Sequence, residues 1–260
     1  MKFSLNQNAK KQKITLLAVS ANRGDLMQDK HLSSQFDEDL NSLCAKLLQM
    51  GGVVEQQIDI AMRAFSEMNL DLCNQVVDRE KTVNLLEVEI DSACVELIAR
   101  RQPTARDLRL VMAVSKAITN LERAGDEAER VAKRTRRIIN EAGNFKINAA
   151  EIKLSGQMAI DLLRQSLDCF ARLDAVAAVK VVQDDKQIDE EFRGFVLKLI
   201  TYMAEGPKMI STGLDLLFIA KAIERIGDHA KNIAEFVIYI VKGADVRHVP
   251  QDDLIREAHK

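Results

Sequence analysis

Leu121-Glu-Arg-Ala-Gly-Asp-Glu-Ala-Glu-Arg-Val-Ala-Lys-Arg134 returns 102 residues later as Ile223-Glu-Arg-Ile-Gly-Asp-His-Ala-Lys-Asn-Ile-Ala-Glu-Phe236. Glu122/Glu224, Arg123/Arg225, Gly125/Gly227, Asp126/Asp228, Ala128/Ala230 and Ala132/Ala234 are identical pairs. At an offset of 105, Gly51 meets Gly156, Phe65 meets Phe170, Val76-Val77 meets Val181-Val182 and Lys81 meets Lys186. Pro103 and Pro207 fall at equivalent junctions. The chain is therefore two copies of one unit of about 100 residues, the signature of a repeat architecture.

The unit is helical. Fifty residues between Gly52 and Pro103 contain neither Gly nor Pro, and apolar positions such as Val83, Ile90, Cys94 and Leu97 recur at helical spacing. Only 4% of residues are aromatic, with Gly 11 and Pro 3 in 260, which excludes a many-stranded β architecture. The pattern predicts helices over 32–67, 70–100 and 104–140 in the first copy and 148–173, 175–204 and 208–242 in the second. Short connections make antiparallel neighbours, so the expected fold is all-α: two tandem three-helix bundles related by a pseudo-twofold axis. Residues 29–143 and 144–245 form the two bundles, and 246–260 a tail.

Residues 1–26 carry Lys2, Lys10, Lys11, Lys13 and Arg23 against Asp25, whereas the whole chain has a formal charge of −2. Their outline resembles a secretory signal, but the apolar stretch Ile14–Val19 is shorter than the roughly 7–15 residues of a working apolar region. We read residues 1–28 as a disordered basic extension, with Met27 as an alternative start. The longest apolar run, Phe236 to Val241, is far below the about 20 residues of a membrane span. The four cysteines (Cys44, Cys73, Cys94, Cys169) lack any paired spacing and read as small core residues of a cytoplasmic protein.

Each copy carries Glu-x-x-x-Asp: Glu122/Asp126 and Glu224/Asp228. Residues four apart share a helical face, so each motif aims two carboxylates the same way. The glycine between them costs about 0.5–1 kcal/mol in a helix interior, which implies that something approaches the backbone there. The middle helices supply further acids: Asp185 and Asp189 in the second copy, Glu80 with Asn84 in the first, where Glu87 and Asp91 lie one turn on. Two readings stand. The acids hold a cation that takes oxygen ligands, such as Mg, Mn, Ca or iron; or they pair with Arg123, Arg225, Lys81 and Lys186 along the bundle surface. Asn84 weakens the first copy's site, since a neutral amide replaces a carboxylate.

Other chemistry is missing. The four histidines form no cluster, and no Glu-x-x-His pair of a di-iron bundle exists. His229, next to Asp228, reads as a surface residue. There is no phosphate loop and no nucleophile–base pair, so the expectation is a protein without catalytic activity. Arg130, Arg134 and Arg137 share a face and form a basic stripe: a solvated face near a helix end, or a docking surface for an acidic partner, lipid or nucleic acid. Phe236–Val241 is a second candidate interface.

The doubled Glu-Arg-x-Gly-Asp, Arg101-Gln-Pro-Thr-Ala-Arg-Asp-Leu-Arg109, Met50-Gly-Gly-Val-Val-Glu55 and Val241-Lys-Gly-x-Asp-Val-Arg-His248 together resemble the PhoU family of bacterial phosphate-transport accessory proteins, over about residues 29–250. The resemblance implies a cytoplasmic, non-enzymatic and often dimeric regulator that restrains phosphate uptake and the phosphate-starvation response. It implies two partners, the ATPase of the phosphate ABC transporter and the membrane sensor histidine kinase, with membrane contact only through them and no nucleic acid bound. It further implies metal ions, in some members iron clusters, on Glu122, Asp126, Asp185, Asp189, Glu224 and Asp228, with Glu80 the remaining acid of the weakened pair. A carboxylate-bridged metalloenzyme or metal store is the alternative function, and a nucleic-acid-binding regulator using the basic stripe a weaker one.

Overall fold

The computed structural model describes residues 34–141, 150–247, 249 and 256; the basic extension and most of the tail lie outside them. Six helices follow in order: α1 Ser34–Glu67, α2 Leu70–Arg101, α3 Ala105–Glu141, α4 Ala150–Arg172, α5 Ala175–Ala204 and α6 Pro207–Lys242. No strand occurs among the described residues.

The first junction of each repeat has the same construction. Met68 and Leu173 adopt left-handed φ values of 50° and 52°, ending α1 and α4. The following residues, Asn69 and Asp174, cap α2 and α5. Asn69 Oδ1 accepts from the N–H groups of Asp71 (2.9 Å) and Leu72 (3.2 Å), and Asp174 Oδ1 from that of Ala177 (2.9 Å). Each cap satisfies donors that a helix start leaves without partners, typically stabilising it by about 1 kcal/mol. At the far end, α6 stops where Gly243 takes φ 76° and its N–H reaches the Tyr239 carbonyl at 2.9 Å.

Within each repeat every helix touches the other two; between repeats α3 packs along α6 and α1 against α4. Both inter-repeat contacts pair a helix with its own equivalent, as a twofold relation requires. The outer helices α2 and α5 touch only their own repeat and flank this central layer. Gly51 and Gly156, equivalent by the 105 offset, permit the α1–α4 approach: a Cβ on either would run into the Leu167 or Met62 side chain.

Leu121, Ala124, Ala128, Val131 and Ala132 of α3 and Ile223, Ile226, Ala230, Ile233 and Ala234 of α6 belong to one buried apolar cluster that runs through both repeats. Phe236, Val237, Ile238 and Ile240 belong to it too. The candidate interface at Phe236–Val241 is thus core, buried within the chain. All four cysteines are buried and free, as expected of small core residues. Burial pushes the Cys94 and Cys169 thiols up to about 12.

Candidate cation site and the cleft between the repeats

In the first repeat, α2 brings Glu80 over the α3 motif. One carboxylate oxygen each of Glu80, Glu122 and Asp126 lies within 4.8 Å of the others. Glu80 is 6% exposed, and its Oε2 accepts from the Gln57 carboxamide of α1 at 2.6 Å. The same Gln57 nitrogen lies 3.4 Å from the Val76 carbonyl and 3.5 Å from the Gly125 carbonyl. Glu80 Oε1 is buried and takes no hydrogen bond.

The motif glycine now has a reason. A Cβ on Gly125 would sit 3.1 Å from Glu80 Oε2 and 3.2 Å from Gln57 Oε1; one on Gly227 would sit 3.0 Å from Asp185 Oδ1. What approaches the backbone in both repeats is the middle helix's own buried carboxylate.

Burial, and after it crowding, raises the affinity of Glu122 and Glu80 for protons. Burial, followed by Asp126, Glu87 and Glu80, pushes Glu122 up to about 7, with Arg123 opposing. Burial also raises Glu80, against the Gln57 hydrogen bond and with help from Asp126 and Glu129. None of the three acids forms an ion pair among the described residues. Three converging carboxylates, one with a buried oxygen lacking a partner, make a donor set that fits a hard divalent cation.

The second repeat places the equivalent acids differently. Asp185 of α5, 3% exposed, and Asp228 of α6 both accept from the ammonium of Lys231, at 2.7 and 2.8 Å. Burial lowers the Lys231 pKa, but its bonds to the two carboxylates outweigh that and hold it protonated. Glu224 accepts from Lys221 at 2.6 Å, and its other oxygen is buried without a partner. Asp189 is half-buried and forms no ion pair among the described residues.

The salt-bridge reading named different cations: Arg225 reaches Glu127 at 3.2 Å, and Lys81 lies 3.8 Å from Asp78. Asn84 is exposed, and Glu87 and Asp91 accept from Thr119 and Ser115 of α3.

Between α3 and α6 lies a cleft of about 740 Å3 that reaches Asp126 and Asp228, the last acid of each motif. Arg123, Arg225, Lys231 and His229 also line it. His229 is half-buried there, not on the open surface. Its Nδ1 lies 3.1 Å from Asn120 Oδ1, an acceptor, so Nδ1 carries the proton. Burial and then Arg123 lower its pKa to about 4, leaving the ring neutral at physiological pH. Adjacency to Asp228 gave no sign of this, because the signal is the inter-repeat packing of α3 on α6.

The basic stripe is used inside the chain. Arg130 donates to Glu127 at 2.7 Å, Arg134 to the buried Asp215 of α6 at 3.0 Å, and Arg137 to Glu141 at 2.9 Å.

A duplicated three-helix bundle in which the aspartate of each motif lines a shared cleft defines the class. The PhoU domain model matches residues 47–135 and again 152–237, once per repeat. The chain belongs to the PhoU family. It is 52% identical to the phosphate-specific transport system accessory protein PhoU homolog of a Burkholderia species, over 89% of this chain and 99% of that one. It is 43% identical to the PhoU accessory protein of Escherichia coli K12, over 87% and 93%. The crystal structure of PhoU from Pseudomonas aeruginosa covers 80% of this chain and all of its own at 41% identity, with a TM-score of 0.78.

Proposed function

We propose that this chain is a cytoplasmic, non-catalytic negative regulator of phosphate uptake and of the phosphate-starvation response. It acts as an adaptor between the ATPase of a phosphate ABC transporter and a sensor histidine kinase, and works as a homodimer. The observation that carries this reading is the 52% identity across nearly the whole Burkholderia accessory protein. Membrane contact comes through the partners, since no helix of the described residues is long and apolar enough to span a bilayer.

Two features support an adaptor. Each outer helix exposes large apolar side chains, Leu85, Val88 and Val95 on α2 and Leu197 and Ile200 on α5, which offers one binding face per repeat. Glu80, Glu122 and Asp126 hold a divalent cation that neutralises their repulsion and ties α2 to α3. The direct test measures binding of the purified chain to the transporter ATPase, with and without chelator. Binding weakened by chelation supports both the adaptor and the cation; binding indifferent to chelation separates them. No binding to the ATPase, together with a silent phosphate regulon in a deletion strain grown in rich medium, rejects the proposal.

A further inference from the structure

We infer that Lys231 is a built-in cation that closes the second repeat to metal ions, so that the chain has one divalent site rather than two. The inference rests on the reading of Glu80, Glu122 and Asp126 as a cation site. The repeat offsets make Asp185 the equivalent of Glu80, Glu224 of Glu122 and Asp228 of Asp126. Lys231 is the equivalent of Glu129. The two repeats thus carry opposite charges at the position three residues after the motif aspartate.

The geometry turns this difference into a difference in chemistry. The Lys231 ammonium sits between the two acids whose counterparts converge in the first repeat, 2.7 Å from one and 2.8 Å from the other. Asp185 has little left to offer an ion, since Oδ1 fits over Gly227 and Oδ2 is bound to Lys231. Glu224 is engaged by Lys221. A metal ion entering there must expel an ammonium from two charge-assisted hydrogen bonds, or share the site with a like charge.

The first repeat is arranged the other way. Glu129 turns to Lys133 at 2.5 Å and adds a negative charge to its surroundings, and the Glu80 Oε1 atom remains without a partner. Two lysines therefore stand among four acids in the second repeat, Glu235 being the counterpart of Lys133, whereas one lysine stands among four in the first. The second repeat is held together whatever the metal supply, and only the first responds to it.

Manganese(II) is a suitable probe, because free and bound ions are separable by paramagnetic resonance. Chelator-stripped wild-type chain should bind one ion, Glu122→Gln none, and Lys231→Gln two. Lys231→Gln should also melt lower than wild type in chelator and regain stability with manganese, since Asp185 is otherwise buried without a counter-ion. Should Lys231→Gln fold poorly, Glu122→Gln alone still decides. A manganese-dependent rise in its melting temperature means that the second repeat binds metal, which overturns the inference. Two ions on the wild type, or one on a folded Lys231→Gln, overturn it as well. No ion on the wild type with one on Lys231→Gln removes the first-repeat site but keeps the lysine's role; no ion on either removes both.

Discussion

Gln57 is the sole hydrogen-bond donor to the buried Glu80 among the described residues, which makes Gln57→Leu the most exacting test of the first site. Gln57 is fully buried, and its 2.6 Å bond to Glu80 Oε2 reaches a carboxylate whose other oxygen has no partner. Leucine keeps the approximate volume and removes the donor. A hydrogen bond to a charged group is worth about 1.5–3 kcal/mol net, which sets the lower end of the loss. The folded chain limits the upper end by protonating Glu80. Burial already holds Glu80 above its ordinary value, so this costs less than the about 3.7 kcal/mol that about 2.7 units, from about 4.3 to pH 7, would give at about 1.36 kcal/mol each. We expect Gln57→Leu to lose about 2–3 kcal/mol in urea unfolding at neutral pH with chelator present. The loss should shrink to under about 1 kcal/mol near pH 4.5, where Glu80 is protonated with or without its donor. In a Glu80→Met background the same substitution should cost little, because no buried carboxylate is then left behind. An equal loss at both pH values, or an undiminished one beside Glu80→Met, refutes the reasoning.

Gly227→Ala gains about 1 kcal/mol of helix propensity, but its methyl meets Asp185 Oδ1 and Ile188 Cδ1 at 3.0 Å each. We expect a net loss of about 1 kcal/mol in urea, and a stabilised variant contradicts the close approach. Arg134→Met leaves Asp215, 2% exposed, with only the more distant Arg137 at 3.5 Å; a loss of about 2–4 kcal/mol should follow, and an unchanged midpoint would show the pair to be idle. Glu235 is pushed up to about 7 by burial, against Lys231 and Arg247 and with Asp245 and Asp185 adding to the rise. A raised carboxyl favours the protonated folded state, so its stabilising effect is full below its ordinary value of 4.5 and is lost as pH climbs through about 7. Glu235→Gln keeps the protonated shape, so it should flatten that decline and exceed wild type by about 1–2 kcal/mol at about pH 8, after allowance for partial exposure. Identical pH profiles count against the assignment.

The helices were legible because their ends are written locally. Met68-Asn69 was the predicted junction, Asn69 and Asp174 are the caps observed, and the 175–204 helix coincides with Ala175–Ala204. The partners of the acids were not legible, because they are distant in sequence. Gln57 lies 23 residues before Glu80 and belongs to no motif. Asn84 drew attention as a missing carboxylate, yet it faces solvent. The informative difference was in plain view in the repeat alignment: Glu129 against Lys231. An i,i+3 spacing places Lys231 within reach of Asp228, and reading opposite charges at that aligned position would have pointed to the second repeat as the neutralised one.

The repeats diverge along the α3–α6 contact in a way that preserves its chemistry. Residue 116 is the equivalent of 218, and 134 of 236. The Arg134 guanidinium lies 4.3 Å from the Phe218 ring centre, and the Lys116 ammonium 6.0 Å from that of Phe236. The pseudo-twofold axis relates these two contacts, but the roles are exchanged: both cations come from α3 and both rings from α6. A strictly repeated sequence would alternate cation and ring on each helix. Concentrating the cations on α3 leaves α6 apolar enough to bury Phe236, Val237 and Ile238, while each cation keeps an aromatic face. The same exchange accounts for Arg130, Arg134 and Arg137 of the basic stripe aligning with the uncharged Asn232, Phe236 and Tyr239 of the other copy. Two identical bundles would repeat either Arg134 with Ala113, giving two arginines and no facing aspartate, or Phe236 with Asp215, giving two buried aspartates and no arginine. Divergence sets the buried Asp215 beside Arg134 at 3.0 Å and Arg137 at 3.5 Å, so that this contact between the two copies carries no unpaired charge.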